Sequence, residues 1–442
     1  MDTNASKTPA TLPLAAWQAM SPAQAAREVH ARIHRLAPSL RTAALAWLRP
    51  EAELAERLRV GGALCPEHDA AGHKAPPTVV SSLRGVPYFL KDLFDLTGVP
   101  MRAGSTFLEQ VRPLPRGDSA IVQRLGRLGA ACAGKTHLVE FASGLTGENP
   151  HYGDCPHPGF PDRLSGGSSS GSAALVAAGV APLAIGTDTG GSVRVPASWC
   201  GLHGFRLTPL DPLITDAFPL APTMDTAGWF TVSAGDMLAV WTALVGPVRP
   251  RRDVRGCHLP MAAMLPNADA DTARACDAAM ARLCPEADRA TALALLQGWR
   301  DSVDAYVTIG MSEAHAVHRD WLAPYREHYD PVIWQRFTDA GRFPPEQVAA
   351  ARAKLEVVRA VFRDFFAGGF DYLVLPAVPG PAPRKPDCTP ELRRRILALT
   401  APASLAGLPL LTIPVPLASG PTAGIQVILP DVNSPAVPDI LR

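Results

Sequence analysis

Two glycine–serine clusters, Gly166-Gly167-Ser168-Ser169-Ser170-Gly171-Ser172 and Thr187-Asp188-Thr189-Gly190-Gly191-Ser192, flank the apolar run Ala173–Ile185. A serine hydroxyl becomes a nucleophile or a proton carrier once a base takes its proton. Glycine lets backbone N–H groups come close to a bound group. Flexible turns alone do not explain two such clusters around one packed apolar unit, so the stretch from Ser165 to Pro209 reads as an active site. A base is available upstream. Leu83-Arg84-Gly85-Val86-Pro87-Tyr88-Phe89-Leu90-Lys91-Asp92 reads as a buried strand that ends in a lysine. Burial disfavours the charged ammonium and lowers its pKa. The plainer alternative is a surface lysine just past the strand end.

Three serine-hydrolase layouts can be tried on this chain. Gly167–Gly171 satisfies G-x-S-x-G with Ser169 at its centre, but a nucleophile elbow needs a strand directly before it. Asp162–Gly166 is polar and turn-like instead. The S-x-x-K layout fails, because no lysine has a serine three positions before it. The third layout uses Ser192 as nucleophile, a second serine as relay and a neutral lysine as base, and its parts are present. Gly129–Thr136 also satisfies the phosphate-loop pattern G-x4-G-K-[ST]. The residues before Gly129 have helical spacing, however, and the four apolar residues inside the pattern read as a strand in their own right. Metal chemistry finds no support: His151 and His157 lack acidic partners at helical spacing, and the eight cysteines form no CxxC pair.

The elements that must position these groups follow from the surrounding pattern. Residues 1–14 read as a loose arm. Ser21-Pro22 caps a helix with Val29, Ile33 and Leu36 on one stripe, and Pro50–Val60 forms another. Cys65–Thr78 reads as a loop, Asp118–Leu128 as a helix and Ala130–Ala133 as a short strand. Residues 137–165 look like loop. A helix over Ser172–Ala178 aims its first N–H groups at the 166–170 loop, and Leu183–Ile185 is a strand that ends at the second cluster. Met224–Phe230 reads as a turn and Ala234–Val245 as a helix. Further helices are expected over Ser302–Tyr329, Pro345–Phe366 and Glu391–Leu399, and strands over Tyr372–Pro376, Leu410–Pro414 and Gly424–Leu429. This is one α/β domain, with a variable peripheral insertion near 250–345.

Composition sets the outer bounds. A hydrophobic share of 47% with 19% charged residues suits a large core. A net charge of +1 gives no bulk attraction to nucleic acid or anionic membrane. Short basic runs such as Arg393-Arg394-Arg395 read as solvated faces. Without a signal-peptide pattern or an apolar run of membrane length, the expected location is the cytoplasm.

Ser165–Pro209 resembles the signature of the amidase signature family. Arg84–Gly98 resembles that family's catalytic-lysine segment, Asp118–Glu140 the helix–strand unit after it, and Pro402–Leu429 its C-terminal strands. The resemblance implies a three-layer α/β/α domain with a mixed, twisted sheet covered on both faces. It implies an amide hydrolase with a Lys–cis-Ser–Ser triad that maps onto Lys91, Ser168 and Ser192. Ser168 precedes Ser192 by the family's 24 residues. The family's oxyanion hole maps onto the N–H groups of Thr189, Gly190, Gly191 and Ser192, with Asp188, Arg194 and Ser169 as structural support. Gly147–Gly153, the triple serine and Asp225–Phe230 are most similar to the indole-acetamide hydrolase branch.

Two departures bear on the pocket and the end of the chain. Leu210–Ala217 is shorter than the family's usual segment, and the family's usual final helix is not expected. Phe141, Ser143, Gly144, Leu145, Trp199 and Trp229 are the expected pocket residues. No cofactor is called for. A small amide, water and a second copy in a homodimer are the expected partners. An amidotransferase subunit or a non-catalytic binding protein on the same fold is the alternative.

Overall fold

The computed structural model describes residues 11–61, 82–251 and 253–442. The expected 65–78 loop and most of the expected N-terminal arm lie outside them.

The strands are β1 (Leu45–Leu48), β2 (Pro87–Lys91), β3 (Ala131–Thr136), β4 (Pro156–His157), β5 (Phe160–Leu164), β6 (Leu183–Thr187), β7 (His203–Arg206), β8 (Ala227–Thr231), β9 (Gly256–His258), β10 (Tyr372–Pro376), β11 (Leu410–Pro416) and β12 (Thr422–Ile428). Ten of them form one mixed sheet in the order β1-β3-β2-β6-β8-β7-β11-β12-β10-β9, and β4 and β5 pair separately. β2 runs parallel to β3 and β6. β9 is parallel to β10, so the 250–345 region adds an edge strand to the main sheet.

The sheet is buried on both faces because its central strands alternate between two cores. Tyr88, Leu90, Leu183, Ile185 and Trp229 face a larger core that includes the helices Ser302–His318, Pro345–Ala367 and Pro390–Ala406. Phe89, Ala184 and Phe230 face a smaller core built with Pro22–Arg35, Glu51–Val60 and Ser170–Ala177. A strand buried on both faces reads as a continuous apolar run, which is why β2, β6 and β10 are visible in the sequence. Ser21 caps its helix through a full capping box with Gln24.

Several expectations are corrected. Met224–Phe230 is not simply a turn: β8 starts at Ala227 and runs between β6 and β7. Gly228 makes that close pairing feasible, since a Cβ there would lie 2.4 Å from the Phe205 carbonyl oxygen. The same glycine is what makes the segment look like a turn. Residues 137–165 contain β4 and β5. The Ser302–Tyr329 helix stops at His318 and a short 3-10 turn follows at Arg326–His328, whereas the Glu391–Leu399 helix continues to Ala406. Near the end of the described residues Ala436–Ile440 forms a helix of five residues.

β3 extends through Gly134, Lys135 and Thr136. The phosphate-loop residues are therefore strand, and Lys135 is ion-paired with Asp92 at 2.5 Å in the interior. No described helix is long and apolar enough to cross a membrane. Among the described residues no cluster of His, Cys, Asp and Glu is arranged to hold a metal.

Candidate active site

Lys91 is the last residue of β2, and β6 beside it ends in Thr187. Because the two strands are parallel, both deliver their C-terminal ends to one place. Ligands bind there in open α/β sheets. Lys91 is 0% exposed. Its Nζ lies 2.8 Å from Ser168 Oγ and 2.7 Å from Thr187 Oγ1. Burial is the main influence on this lysine and lowers its pKa to about 7, against the opposing pull of the Asp225 and Asp188 charges. Lys91 is thus a buried amine that can be neutral near pH 7, hydrogen-bonded to a serine.

That serine follows a cis peptide bond, Gly167–Ser168. Backbone contacts fix its segment: Gly167 N–H donates to Leu145 O at 2.8 Å, and Val139 N–H to Ser168 O at 3.2 Å. Ser169 Oγ donates to the Thr187 carbonyl at 3.2 Å, and Ser169 N–H contacts Ser192 O at 3.4 Å. The two serine loops are therefore stitched together through Ser169 and β6. The helix Ser170–Ala177 starts immediately after them. Ser192 is buried at 3% exposure, and its hydroxyl makes no hydrogen bond among the described residues. Its main chain thus adjoins the loop of the lysine-bonded Ser168.

The second loop is shaped by one carboxylate. Asp188, fully buried, accepts from the N–H groups of Gly191 at 2.9 Å, Val193 at 3.0 Å and Arg194 at 3.2 Å. It is also ion-paired with the guanidinium groups of Arg194 at 2.9 Å and Arg206 at 3.2 Å. Burial pushes its pKa up, but the two arginine charges and these hydrogen bonds outweigh that and hold the carboxyl well below its ordinary range. The Gly191 N–H is therefore spent on Asp188, whereas those of Thr189, Gly190 and Ser192 make no hydrogen bond among the described residues. These three remain able to receive a developing oxyanion.

Thr189 is fixed in turn by Asp225, whose Oδ1 accepts from Thr189 Oγ1 at 2.6 Å. Asp225 Oδ2 accepts the N–H groups of Leu220 and Ala221 at 2.8 and 3.0 Å. Burial raises this carboxyl to about 6 despite those bonds. The Gly190 carbonyl accepts from Thr400 Oγ1 at 2.6 Å, so the helix Pro390–Ala406 braces the loop from outside.

The expected pocket residues separate into two groups. Leu145 sits against the loop, 3.6 Å from where a Gly191 Cβ would be, and Gly144 packs on Val139. Ser143 accepts from Arg336 Nη1 through both its carbonyl and its hydroxyl. Phe141, at a positive φ of 47°, packs edge-on to Phe107 and His318 and beside Phe218 and Tyr329. Trp199 and Trp229 are both 0% exposed. Trp199 Nε1 donates to the Gly380 carbonyl, and Trp229 stacks on Phe205 with its Nε1 on Met237 Sδ. Both belong to the larger core, as Phe141 and Leu145 do.

Sequence reasoning missed the Lys91–Thr187 and Thr189–Asp225 bonds and the bracing by Thr400 and Arg206. It also missed Tyr306, whose hydroxyl lies 2.1 Å from the position of a Gly190 Cβ. Only the polar tip of Thr187 at a strand end was a local signal.

A family model described as Amidase matches residues 66–434. The chain is 32% identical over 393 residues to 1-carboxybiuret hydrolase subunit AtzE of Pseudomonas sp. (strain ADP), covering 81% of each protein. It is 43% identical over 166 residues to indoleacetamide hydrolase of Pseudomonas syringae pv. syringae, which is 38% of this chain and 37% of that one. Among solved structures, an inhibitor-bound complex described as a vestigial protein complex revealing the origins of an s-triazine catabolic enzyme superposes with a TM-score of 0.81. Its identity is 27%, over 96% of each chain. A structure described as an amidase gives a TM-score of 0.76 at 27% identity over 95% of this chain and 94% of that one.

Proposed function

Since the chain belongs to the amidase family and is an amide-hydrolysing enzyme, we propose that it works through Ser192 as nucleophile, Ser168 as proton relay and Lys91 as base. The observation that carries this reading is the 2.8 Å contact between Lys91 Nζ and Ser168 Oγ at a fully buried lysine. A neutral amine at that distance takes the Ser168 proton while Ser168 takes one from Ser192. Ser192 Oγ then attacks the amide carbonyl. The carbonyl oxygen acquires negative charge and is received by the free N–H groups of Thr189, Gly190 and Ser192. Preorganised donors of this kind each contribute about 3–4 kcal/mol to the transition state. As the tetrahedral intermediate collapses, the relay passes a proton from Lys91 through Ser168 to the leaving nitrogen, and the C–N bond breaks. Water then enters by the same relay and releases the acid from the acyl-enzyme.

Ser192→Ala is expected to abolish ammonia or amine release from a panel of small amides, and a fluorophosphonate is expected to label Ser192 alone. Full turnover by that variant, or a label on Ser169, would sink the assignment. Phe141, Ser143, Gly144 and Leu145 are proposed to border the bound amide, because Leu145 adjoins Gly191 and the other three precede it directly. A second reading places the chain as the catalytic subunit of a larger assembly. It is favoured by its similarity to a protein that is itself named a hydrolase subunit. Size-exclusion chromatography of the purified chain separates a monomer, a homodimer and a chain that elutes only with other polypeptides.

A further inference from the structure

One cluster beside the oxyanion loop has no part in the triad. The helix Ser302–His318 brings Tyr306 against Gly190, so close that a Cβ there would meet its hydroxyl at 2.1 Å. Tyr306 is buried, and its hydroxyl makes no hydrogen bond among the described residues. Arg336, on the helix Pro331–Ala340, reaches the same region and donates to Ser143. Arg393 approaches from the helix Pro390–Ala406, and its Nη1 is buried with no hydrogen-bond partner.

The three groups feel one another. Burial first, and the Arg393 charge second, pull Arg336 down to about 9. Burial likewise lowers Arg393, while Tyr306 acts on it in the opposite direction. Both guanidinium groups stay charged at neutral pH.

Among the described residues neither arginine forms an ion pair, and Asp330 and Glu148 act on Arg336 only from beyond ion-pair distance, against the larger effects of burial and Arg393. Glu148 is taken by Lys385 at 3.0 Å, and Asp330 caps its own helix through the N–H of Val332 at 2.7 Å. Two like charges held together out of water are costly unless an anion joins them. Arginine forks and a phenol hydroxyl are the donors that suit a planar carboxylate. We propose that Tyr306, Arg336 and Arg393 form a subsite for a carboxylate carried by the substrate, so that the enzyme's preferred amides are anionic. The proposal takes from the mechanism above only the position of the reacting carbonyl.

Calorimetric titration of the Ser192→Ala protein tests it. Succinamate carries its carboxylate on the acyl side of the amide and N-acetylglycine on the amine side. Butyramide and N-propylacetamide are their neutral counterparts. At least one carboxylated ligand is expected to bind about tenfold or more tightly than its neutral counterpart. Arg393→Met and Arg336→Met, each checked for cooperative thermal unfolding, are expected to narrow that ratio toward one. The proposal is overturned if both carboxylated ligands bind no more tightly than the neutral ones, a comparison that needs no arginine variant. It is equally overturned if both variants leave the ratio intact. Ammonia release by the same Ser192→Ala protein is followed separately; release would remove Ser192 as nucleophile without touching the carboxylate preference.

Discussion

Lys91 serves as a base only in its neutral form, and its pKa of about 7 places that condition within the working range. Activity as kcat/KM is therefore expected to rise with pH through about 7 on a single acid limb, which reports the free enzyme. Asp225 stabilises the ammonium form by its charge. Removing that charge in Asp225→Asn lowers the Lys91 pKa further, so the acid limb shifts to lower pH, as a pH profile of the variant would reveal. A limb that moved up would show that Asp225 acts on the site some other way. Lys91→Ala is expected to lower kcat by about a thousandfold or more, since the relay loses its base. The measurement is steady-state amide turnover above pH 8, where loss of the titration itself is also visible.

At the scale of elements, the helix Ser170–Ala177 matters because it follows the relay serine and must dock tightly. Gly171 faces the Ala44 and His137 carbonyl oxygens, where a Cβ would lie at 2.3 and 2.8 Å. Backbone atoms cannot swing away as a side chain can, so Gly171→Ala forces the helix off its seat. The expected cost is about 1–3 kcal/mol in stability, together with a loss of kcat as Ser168 moves. Gly126 is the matching control. It lies in the helix Ala120–Arg127 and a Cβ there meets nothing within 4 Å. Gly126→Ala is expected to stabilise by about 0.5–1 kcal/mol, with activity unchanged. Denaturant unfolding of the two variants gives opposite signs if this reading of the packing is right.

Across the whole molecule, Arg194 ties distant parts of the chain to the catalytic loop. Besides Asp188, it donates to the Thr400 carbonyl, Gln426 Oε1 and Ser404 Oγ, at 2.8, 3.0 and 2.6 Å. These partners belong to the helix Pro390–Ala406 and to β12, more than 200 residues further on. Among the described residues Asp188 is the one carboxylate ion-paired with both Arg194 and Arg206. Asp188→Asn leaves two buried guanidinium groups uncompensated. It is expected to destabilise the fold by about 3–5 kcal/mol, seen as a lower denaturation midpoint.

By itself the sequence determined the class of reaction, amide hydrolysis, and the elements that bear the proposed triad. Glycine-flanked serines and a lysine that ends an apolar strand are local patterns, and the fully buried strands β2, β6 and β10 are continuous apolar runs. The same local logic set aside the phosphate loop, because Ala130–Ala133, inside the pattern, reads as a strand. What escaped were features whose cause lies elsewhere in the chain. Gly228 reads as a turn until Phe205 is laid beside it. Tyr306, Arg336, Thr400 and Asp225 lie 33 to 208 residues from Ser192 in the chain. Asp225 opens a segment that carries the family resemblance, but nothing in the neighbourhoods of the other three marks them as parts of the site. Tertiary structure alone decided which donors face the oxyanion loop, because Asp188 claims Gly191 and leaves its neighbours free. It alone assembled a cationic subsite from three separate helices, since burial and charge are properties of surroundings that no short stretch of sequence contains.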